Sequence, residues 1–307
     1  MKMAKRKMKT RFDVVFDIVN TTLLVLIMII MLYPMYFTII ASFSDPNQVQ
    51  TGKAFLMIKG FNIDAYYNVF KNKDIWSGYL NSIYYTLLGT LAGLTGTITC
   101  AYAMSRKYLK GRKVLMVFFM ITMYFSGGLI PGYLVNQTLG LVNTRTVIII
   151  GSFFSVYNMI IVRTFYQSNF PDEIYEAAKI DGCRELGVFF RMALPLSGAI
   201  IAVIALYNAV GQWNSYFGAL IYLSDKKKWP LQLILRNILI QNQGMSIDMD
   251  RLKTASADEL ATMLKKQQLA ETMKYSLIFI SSLPMLIAYP FVQKYFVKGV
   301  MIGSIKG

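Results

Sequence analysis

Histidine is absent from the 307 residues, and cysteine occurs twice. Without histidine there is no His-based triad, no imidazole proton shuttle and little chance of a zinc site. Two cysteines, Cys100 and Cys183, cannot build a disulfide framework. Charge is also thin: 16% of residues are charged against the usual quarter, and acids number 16 against 32 Lys plus Arg. After Asp17, no Asp or Glu falls inside any long apolar span. That removes the buried carboxylates on which proton or sodium coupling and intramembrane aspartyl or metalloproteolysis depend. No Ser is paired with a base at helical spacing within a span, so a Ser-type intramembrane protease lacks its parts. There is no G-x-x-x-x-G-K-[ST] loop to cradle ATP, so any uphill transport would draw its energy from a partner.

What is present is apolar surface and unevenly placed positive charge. Hydrophobic residues make up 55% of the chain, and the formal net charge is +16. A membrane-spanning helix needs roughly 20 apolar residues to cross a core of about 30 Å. Six uncharged runs qualify, and they predict an all-α integral membrane protein with spans near 16–41, 80–104, 114–136, 146–166, 196–222 and 274–296. The fourth is completed if Arg163 snorkels to the headgroups. The run Asn237 to Ile247 is too short to cross. The first apolar run is longer than a signal-peptide core and lacks an A-x-A site, so it reads as an uncleaved helix behind a basic tail, 1–15.

Alternate loops differ in Lys and Arg. The tail 1–13 and the segments 105–113, 167–194 and 297–307 carry 16 in about 60 residues; the opposite loops carry 13 in about 96. Both termini are therefore expected on the cytoplasmic side, with 298–307 as a short tail. This bias accounts for the charge better than nucleic-acid binding, since no soluble segment shows a basic groove with interleaved aromatics.

Polar and aromatic residues concentrate in the later spans. Tyr124 and Phe125, followed by Ser126, Gly127, Gly128 and Pro131, would loosen the third helix, which lipid tolerates only where backbone faces protein or water. Gln212, Trp213, Asn214, Tyr216 and Phe217 place amides beside rings in the fifth, and Tyr157 and Asn158 do so in the fourth. Rings beside amides suit sugars, which have apolar faces edged by hydroxyls. Interfacial anchoring and helix packing account for the same residues equally directly.

Between the fourth and fifth spans lies 168–195. Pro171 fits a first helical position, Asp172 and Glu173 suit the positive first turn, and Ile174, Ala177, Ala178 and Cys183 trace an apolar face. Asp181-Gly182 turns the chain. Leu186, Phe189, Phe190 and Leu194 then recur at helical spacing until Pro195 stops them. Small Ala177 and Ala178 would admit another protein closely, with Glu176 as a charged contact; a surface helix packed on its own bundle fits the same spacing.

Glu176-Ala177-Ala178, three residues, Gly182, nine residues, Met192, one residue, Leu194-Pro195 resembles the EAA loop of permease subunits of binding-protein-dependent ABC importers, with Met192 in place of isoleucine. A proline common in the sugar-importer version is Ala199 here. Asn81-Ser82, Ala101-Tyr102-Ala103-Met104-Ser105-Arg106, Trp213-Asn214, the tail from Gln293 to Gly299 and Lys306-Gly307 extend the resemblance along nearly the whole chain, to the carbohydrate-uptake, maltose-permease-type subunit. Phe125 to Pro131 and Leu139 to Thr144 look most like a subgroup associated with larger oligosaccharides from complex or acidic polysaccharides.

The resemblance implies a type I ABC importer permease fold whose cytoplasmic coupling helix lies between helices 4 and 5. It implies a membrane-spanning subunit that takes up carbohydrate by alternating access, in a bacterial cytoplasmic membrane. The expected partners are a second homologous permease, two cytoplasmic ABC ATPases that hold the ATP and Mg, an extracytoplasmic sugar-binding protein and an oligosaccharide; this chain binds no cofactor and is not itself an enzyme. Glu176, Ala177, Ala178, Asp181, Gly182, Leu194 and Pro195 are carried over as ATPase-coupling residues. Gly182 is expected to matter because a side chain would block the turn. In the outer loop 224–273, Lys226-Lys227-Lys228-Trp229-Pro230 and a helical stretch over 256–271 would meet the binding protein or steer an acidic sugar; a solvated charge cluster is the alternative. Two other classes compete: a six-span enzyme of envelope glycan or lipid metabolism, which needs acidic or His clusters at a membrane face, and a carrier that works without an ATPase.

Overall fold

A computed structural model describes residues 10–244, 273–290 and 293, and everything below concerns those residues. Every regular element among them is helical, with no strand. The described residues separate into two compact units, one of 10–71, 242–244 and 273–280, the other of 72–241, 281–290 and 293.

In the first unit, α1 (Arg11–Phe43) is opened by a capping box: the Asp13 amide donates to Thr10 Oγ1 at 3.2 Å, and the Thr10 amide donates to Asp13 Oδ2 at 2.8 Å. Nearly all of α1 is exposed and apolar, from Leu23 to Leu32 without interruption by charge. Only its end packs: Ile40, Ala41 and Ser42 are buried, and Ser42 Oγ accepts from Tyr66 Oη at 2.7 Å. Tyr66 lies on α3 (Asp64–Lys71), after the short α2 (Pro46–Gln50). Phe43 stacks on Tyr66 at 4.8 Å and meets Phe279 edge-on at 6.2 Å.

The second unit is organised on α4 (Lys73–Ser105), which at 33 residues and about 1.5 Å per residue is about 50 Å long. One face carries Gly78, Gly89, Gly93 and Gly96, all buried. Without side chains there, neighbours approach backbone to backbone, as small residues allow in membrane bundles. The helices that follow are α5 (Arg112–Tyr124), α6 (Leu129–Thr138), α7 (Arg145–Ile150), α8 (Val156–Asn169), α9 (Asp172–Ile180), α10 (Glu185–Leu196, with a π turn at Phe189–Ala193), α11 (Gly198–Asn214), α12 (Phe217–Tyr222) and α13 (Leu231–Gly244). A last helix covers 273–290. Helices α8 and α11 pack on α4.

Two of these helices, α1 and α4, are long and apolar enough to cross a membrane singly; α5 with α6, bent by 112°, and α10 with α11, bent by 79°, would each add one if a bent pair is a span. The helices within the expected spans 114–136, 146–166 and 196–222 are interrupted at 125–128, where loosening is expected, and also at 151–155 and 215–216. The first break belongs to Gly128, at φ +85° and ψ −179°, a backbone region open essentially to glycine. Pro131 sits in the first turn of α6, where no amide donor is needed; in a helix continuous through 125–128 its ring would clash with the carbonyl of residue 127, so it too favours the break. The second break ends where Ser155 Oγ accepts from the Asn158 amide at 3.3 Å and restarts the helix. The tail 1–9, the expected helix over 256–271 and the C-terminal residues 294–307 lie outside the described residues.

Candidate functional site

At the end of α4, α9 and α10 form a polar elbow. Pro171 takes the N-cap position of α9, one residue before the expected place, with Asp172 and Glu173 in the first turn and Lys179 in the last, all complementary to the helix dipole. The buried face of α9 is Tyr175 and Ala178, with Ile174 half-buried; Ala177, expected on that face, is exposed beside Glu176. Ile180 is 87% exposed, an apolar tip next to Asp181.

Three backbone bonds close the turn: Asp181 N–H to Ala177 O at 3.0 Å, Gly182 N–H to Lys179 O at 3.0 Å and Cys183 N–H to Ala178 O at 2.9 Å. The last two form a Schellman motif with Gly182 at its left-handed position, φ +72°. The spacing Ala178-x3-Gly182 is thus the length of a helix C-cap. A Cβ on Gly182 would meet nothing within 4 Å, so the expectation of a blocked turn is corrected: the backbone angle, not space, restricts this position. We expect Gly182→Val to lower stability by about 1–2 kcal/mol and Gly182→Asn by clearly less, since Asn tolerates this region. Thermal unfolding of the two variants in detergent checks the order; equal losses would refute the backbone account.

After the turn, Val188, Phe189 and Ala193 of α10 are buried with Tyr175 and Ala178 in one core that includes Tyr102, Tyr166 and Phe170. Leu194 is half-buried against it and Pro195 is exposed; helix continues through Leu196, so Pro195 does not stop it. Leu186 and Phe190, expected to share the apolar face, point outward at 72% and 60% exposure.

Arg106, the C-cap of α4, connects α4 to this elbow. Its guanidinium lies 3.2 Å from the centroid of the Tyr175 ring, and Nε is 3.6 Å from Glu185 Oε2. Tyr102 Oη donates to the same carboxylate oxygen at 3.4 Å. A desolvated cation on a ring contributes about 2 kcal/mol. Burial pushes the Tyr175 phenol up while the Arg106 cation opposes the shift, so the ring stays neutral. Lys107 Nζ pairs with Asp172, and Lys179 Nζ sits 4.0 Å over Tyr108. Cavities of 440 Å³, bounded by Tyr102, Tyr108 and Phe190, and 160 Å³, bounded by Lys107, Arg112 and Gln167, both touch Arg106.

Toward the other end of α4, a second polar knot forms. Asn81 Nδ2 donates to the carbonyls of Lys227 at 2.7 Å and Trp229 at 3.0 Å, Tyr85 Oη donates to Lys228 O at 2.8 Å, and the Leu231 amide donates to Ser82 Oγ at 2.8 Å. Arg145 Nη2 reaches Asn81 Oδ1 at 3.0 Å. Asn143, left-handed at φ +59°, accepts from the amides of Ser224 and Asp225 at 3.2 and 3.1 Å. The motif Leu139 to Thr144 therefore holds a loop in place.

The candidate sugar-path residues divide. Tyr124 and Phe125 are both 76% exposed, Tyr157 61%, Phe217 54% and Tyr216 40%, and Asn214 is exposed with its amide donating to Val210 O at 3.0 Å. Trp213 is buried, its Nε1 donating to Ser281 O at 3.0 Å, and Asn158 is buried with its amide donating to Asn208 Oδ1 at 3.3 Å. Gln212 is half-buried and donates to Ile148 O at 3.4 Å. Sequence reasoning gave no role to Tyr175, Ile180 or Arg106. The signal for the last was available: a single arginine ending a long uncharged run.

Exposed apolar helices with a polar elbow at the end of one of them define an integral membrane protein, all-helical in its described residues. Comparison with protein-family models gives no match. Curated relatives give several. The chain is 38% identical over 292 residues to a polygalacturonan/rhamnogalacturonan transport system permease protein of Bacillus subtilis, YtcP, covering 95% of this chain and 98% of that one. It is 39% identical over 298 residues to protein LplC of the same organism, covering 97% of each. Among solved structures, a chain of a bacterial ABC transporter involved in the import of the acidic polysaccharide alginate superposes with a TM-score of 0.82 at 31% identity, covering 94% of this chain and 99% of that one. The protein belongs to the permease subunits of ABC transport systems.

Proposed function

We propose that this permease imports oligosaccharides released from an acidic polysaccharide, as one half of a heterodimeric pore with six membrane spans in a bacterial cytoplasmic membrane. The likeness to a pectic-polysaccharide permease over 95% of the chain carries the substrate class, and that to an alginate importer supports it. Both termini face the cytoplasm, on the charge bias of the loops. A second, homologous permease completes the path, two ABC ATPases hold the ATP and Mg, and an extracytoplasmic sugar-binding protein delivers the ligand. The segment 168–195 is the cytoplasmic coupling loop. Its exposed face, with Glu176, Ala177, Ile180 and Asp181, enters the ATPase, while Gly182, Leu194 and Pro195 shape the turn and its exit. Closure of the ATPase dimer draws these elbows together and reopens the spans outward, a rigid-body form of alternating access. Tyr124, Phe125, Tyr157, Tyr216 and Phe217 offer ring faces to the sugar, with Asn214 and Gln212 beside them; Trp213 and Asn158 brace the helices that carry them. Lys226, Lys227 and Lys228 steer the acidic ligand.

The test is a pull-down of the chain in mild detergent, wild type beside Glu176→Lys, with mass spectrometry and an ATPase assay of the complex. We expect a second permease and an ATPase with the wild type, and at least about ten-fold less ATPase with Glu176→Lys, since a misplaced charge at an interface costs more than 1.4 kcal/mol. Uptake by reconstituted vesicles of galacturonate oligomers, but not of neutral maltodextrins, checks the substrate class. Recovery of the chain alone would refute the importer assembly.

A further inference from the structure

We infer that Arg106 is a positioning residue for the transport cycle: the joint that makes α4 move with the coupling turn. This deepens the proposed function and rests on α9 being the ATPase-docking helix. The two arms of the Gly182 turn hold the same guanidinium. Tyr175 on α9 presents its ring 3.2 Å away, and Glu185 on α10 presents its carboxylate at 3.6 Å. Arg106 is 8% exposed and Tyr175 5%, so the cation–ring contact is desolvated on both sides, while the Glu185 carboxylate, at 53% exposure, keeps its end of the ion pair partly in water. Its backbone is the cap of α4, with its amide donating to Ala103 O at 3.2 Å, so no flexible segment separates the grip from the helix.

The end of α4 is itself fixed. Arg163 Nε donates to Met104 O at 3.1 Å, and Arg112 Nη1 to Ser105 O at 3.4 Å. Two further cations thus satisfy the last carbonyls of α4, which carry its negative dipole end. A displacement of α9 and α10 therefore reaches a stiff rod about 50 Å long, not a hinge. The clasp works beside Tyr102 of α4, which packs against Phe189 at 4.9 Å and donates to Glu185; the pair of Lys107, just past α4, with Asp172 is solvent-exposed and contributes little.

The type of contact suits a moving part. Arg106 Nε and Nη2 make no hydrogen bond to protein atoms; the hold consists of a stacked cation and a long ion pair. Such attractions vary slowly with angle, whereas hydrogen bonds weaken steeply below about 120°. The turn can tilt while the attraction persists.

The experiment uses the assembled transporter with its binding protein. Deuterium uptake by 73–80, at the far end of α4, is compared between the nucleotide-free and the ATP–vanadate-trapped complex, and trapped nucleotide is quantified in each sample. In the wild type and in Tyr175→Phe, we expect trapping to change that uptake by at least about two-fold. In Arg106→Gln and Tyr175→Leu, the ATPase should stay bound and trap nucleotide to within about two-fold of wild type while the response at 73–80 is lost. A wild-type response in both variants would overturn the joint. So would loss of the ATPase from both, which would make the clasp a scaffold for docking. A wild-type complex that contains no ATPase would refute the proposed assembly itself, and the joint with it.

Discussion

Replacing Gly96 by valine is expected to leave little folded protein. A Cβ at this position would lie 2.4 Å from the carbonyl oxygen of Phe153, with the Phe153 ring at 3.0 Å. The obstacle is backbone, in the break between α7 and α8, and it cannot swing aside as a side chain could. Overpacking a core costs typically 1–3 kcal/mol when side chains can yield, and more where they cannot. Valine adds two further methyl groups to the clash, so α8 would have to separate from α4. Two comparisons make the expectation specific. At Gly89 the nearest atom is the end of the Gln212 side chain, at 2.4 Å, so Gly89→Ala should lose mainly that side chain's bond to Ile148 O. At Gly211, within α11, nothing lies within 4 Å, and alanine should be neutral or stabilise by about 0.5–1 kcal/mol. Yield of monodisperse protein and thermal unfolding in detergent rank the three; Gly96→Val as stable as Gly211→Ala would refute the backbone-contact account.

Asn81→Leu should be nearly as damaging while keeping the branched shape of the side chain. Asn81 is 4% exposed and serves three partners: the carbonyls of Lys227 and Trp229, and the Arg145 guanidinium. Leucine fills the space but leaves all three without it. A buried polar group stripped of its partner costs about 1–3 kcal/mol, and a charged one more, so about 3 kcal/mol or more is expected here. The damage should concentrate in the knot, raising deuterium uptake across 224–232 before the rest of the unit unfolds. Asn81→Asp discriminates further: it keeps an acceptor for Arg145 but turns the two donated bonds into repulsions with carbonyl oxygens. Unchanged uptake across 224–232 in Asn81→Leu would show that Tyr85 and Ser82 hold the loop unaided.

These two positions show what a linear reading of this chain can and cannot contain. The apolar, all-helical character of the chain was legible, because hydrocarbon burial is a property of composition along the chain; α1 and α4 are its clearest products. The turn at Gly182 was legible too, since a helix C-cap is local and its spacing is written in consecutive residues. The breaks inside the third, fourth and fifth runs were only half legible. The segment from Tyr124 to Pro131 announces the first of them, which falls at 125–128, while nothing in Ser215 or Tyr216 marks another. Contacts between distant segments were not legible: Asn81 with 227–229, Asn143 with 224–225, Arg106 with Tyr175 and Glu185. Each depends on which helix faces lie together, which periodicity does not specify. The same gap explains Trp213 and Asn158. Their residue types suit a sugar, and only their neighbours reveal that both side chains are occupied.

The Schellman closure after α9 bears on the energetics of association. Ordering a free nine-residue segment as a helix would cost about 1–2 kcal/mol per residue in backbone entropy, on the order of 10 kcal/mol in all. Tyr175 and Ala178 buried on one side, with the three-bond turn at the end, mean that this entropy is already lost before any partner arrives. Binding to this elbow is then a lock-and-key event between preorganised surfaces, with a small heat-capacity change and no folding phase. Free energy that a disordered tether would spend on becoming ordered stays available as mechanical work on the membrane helices.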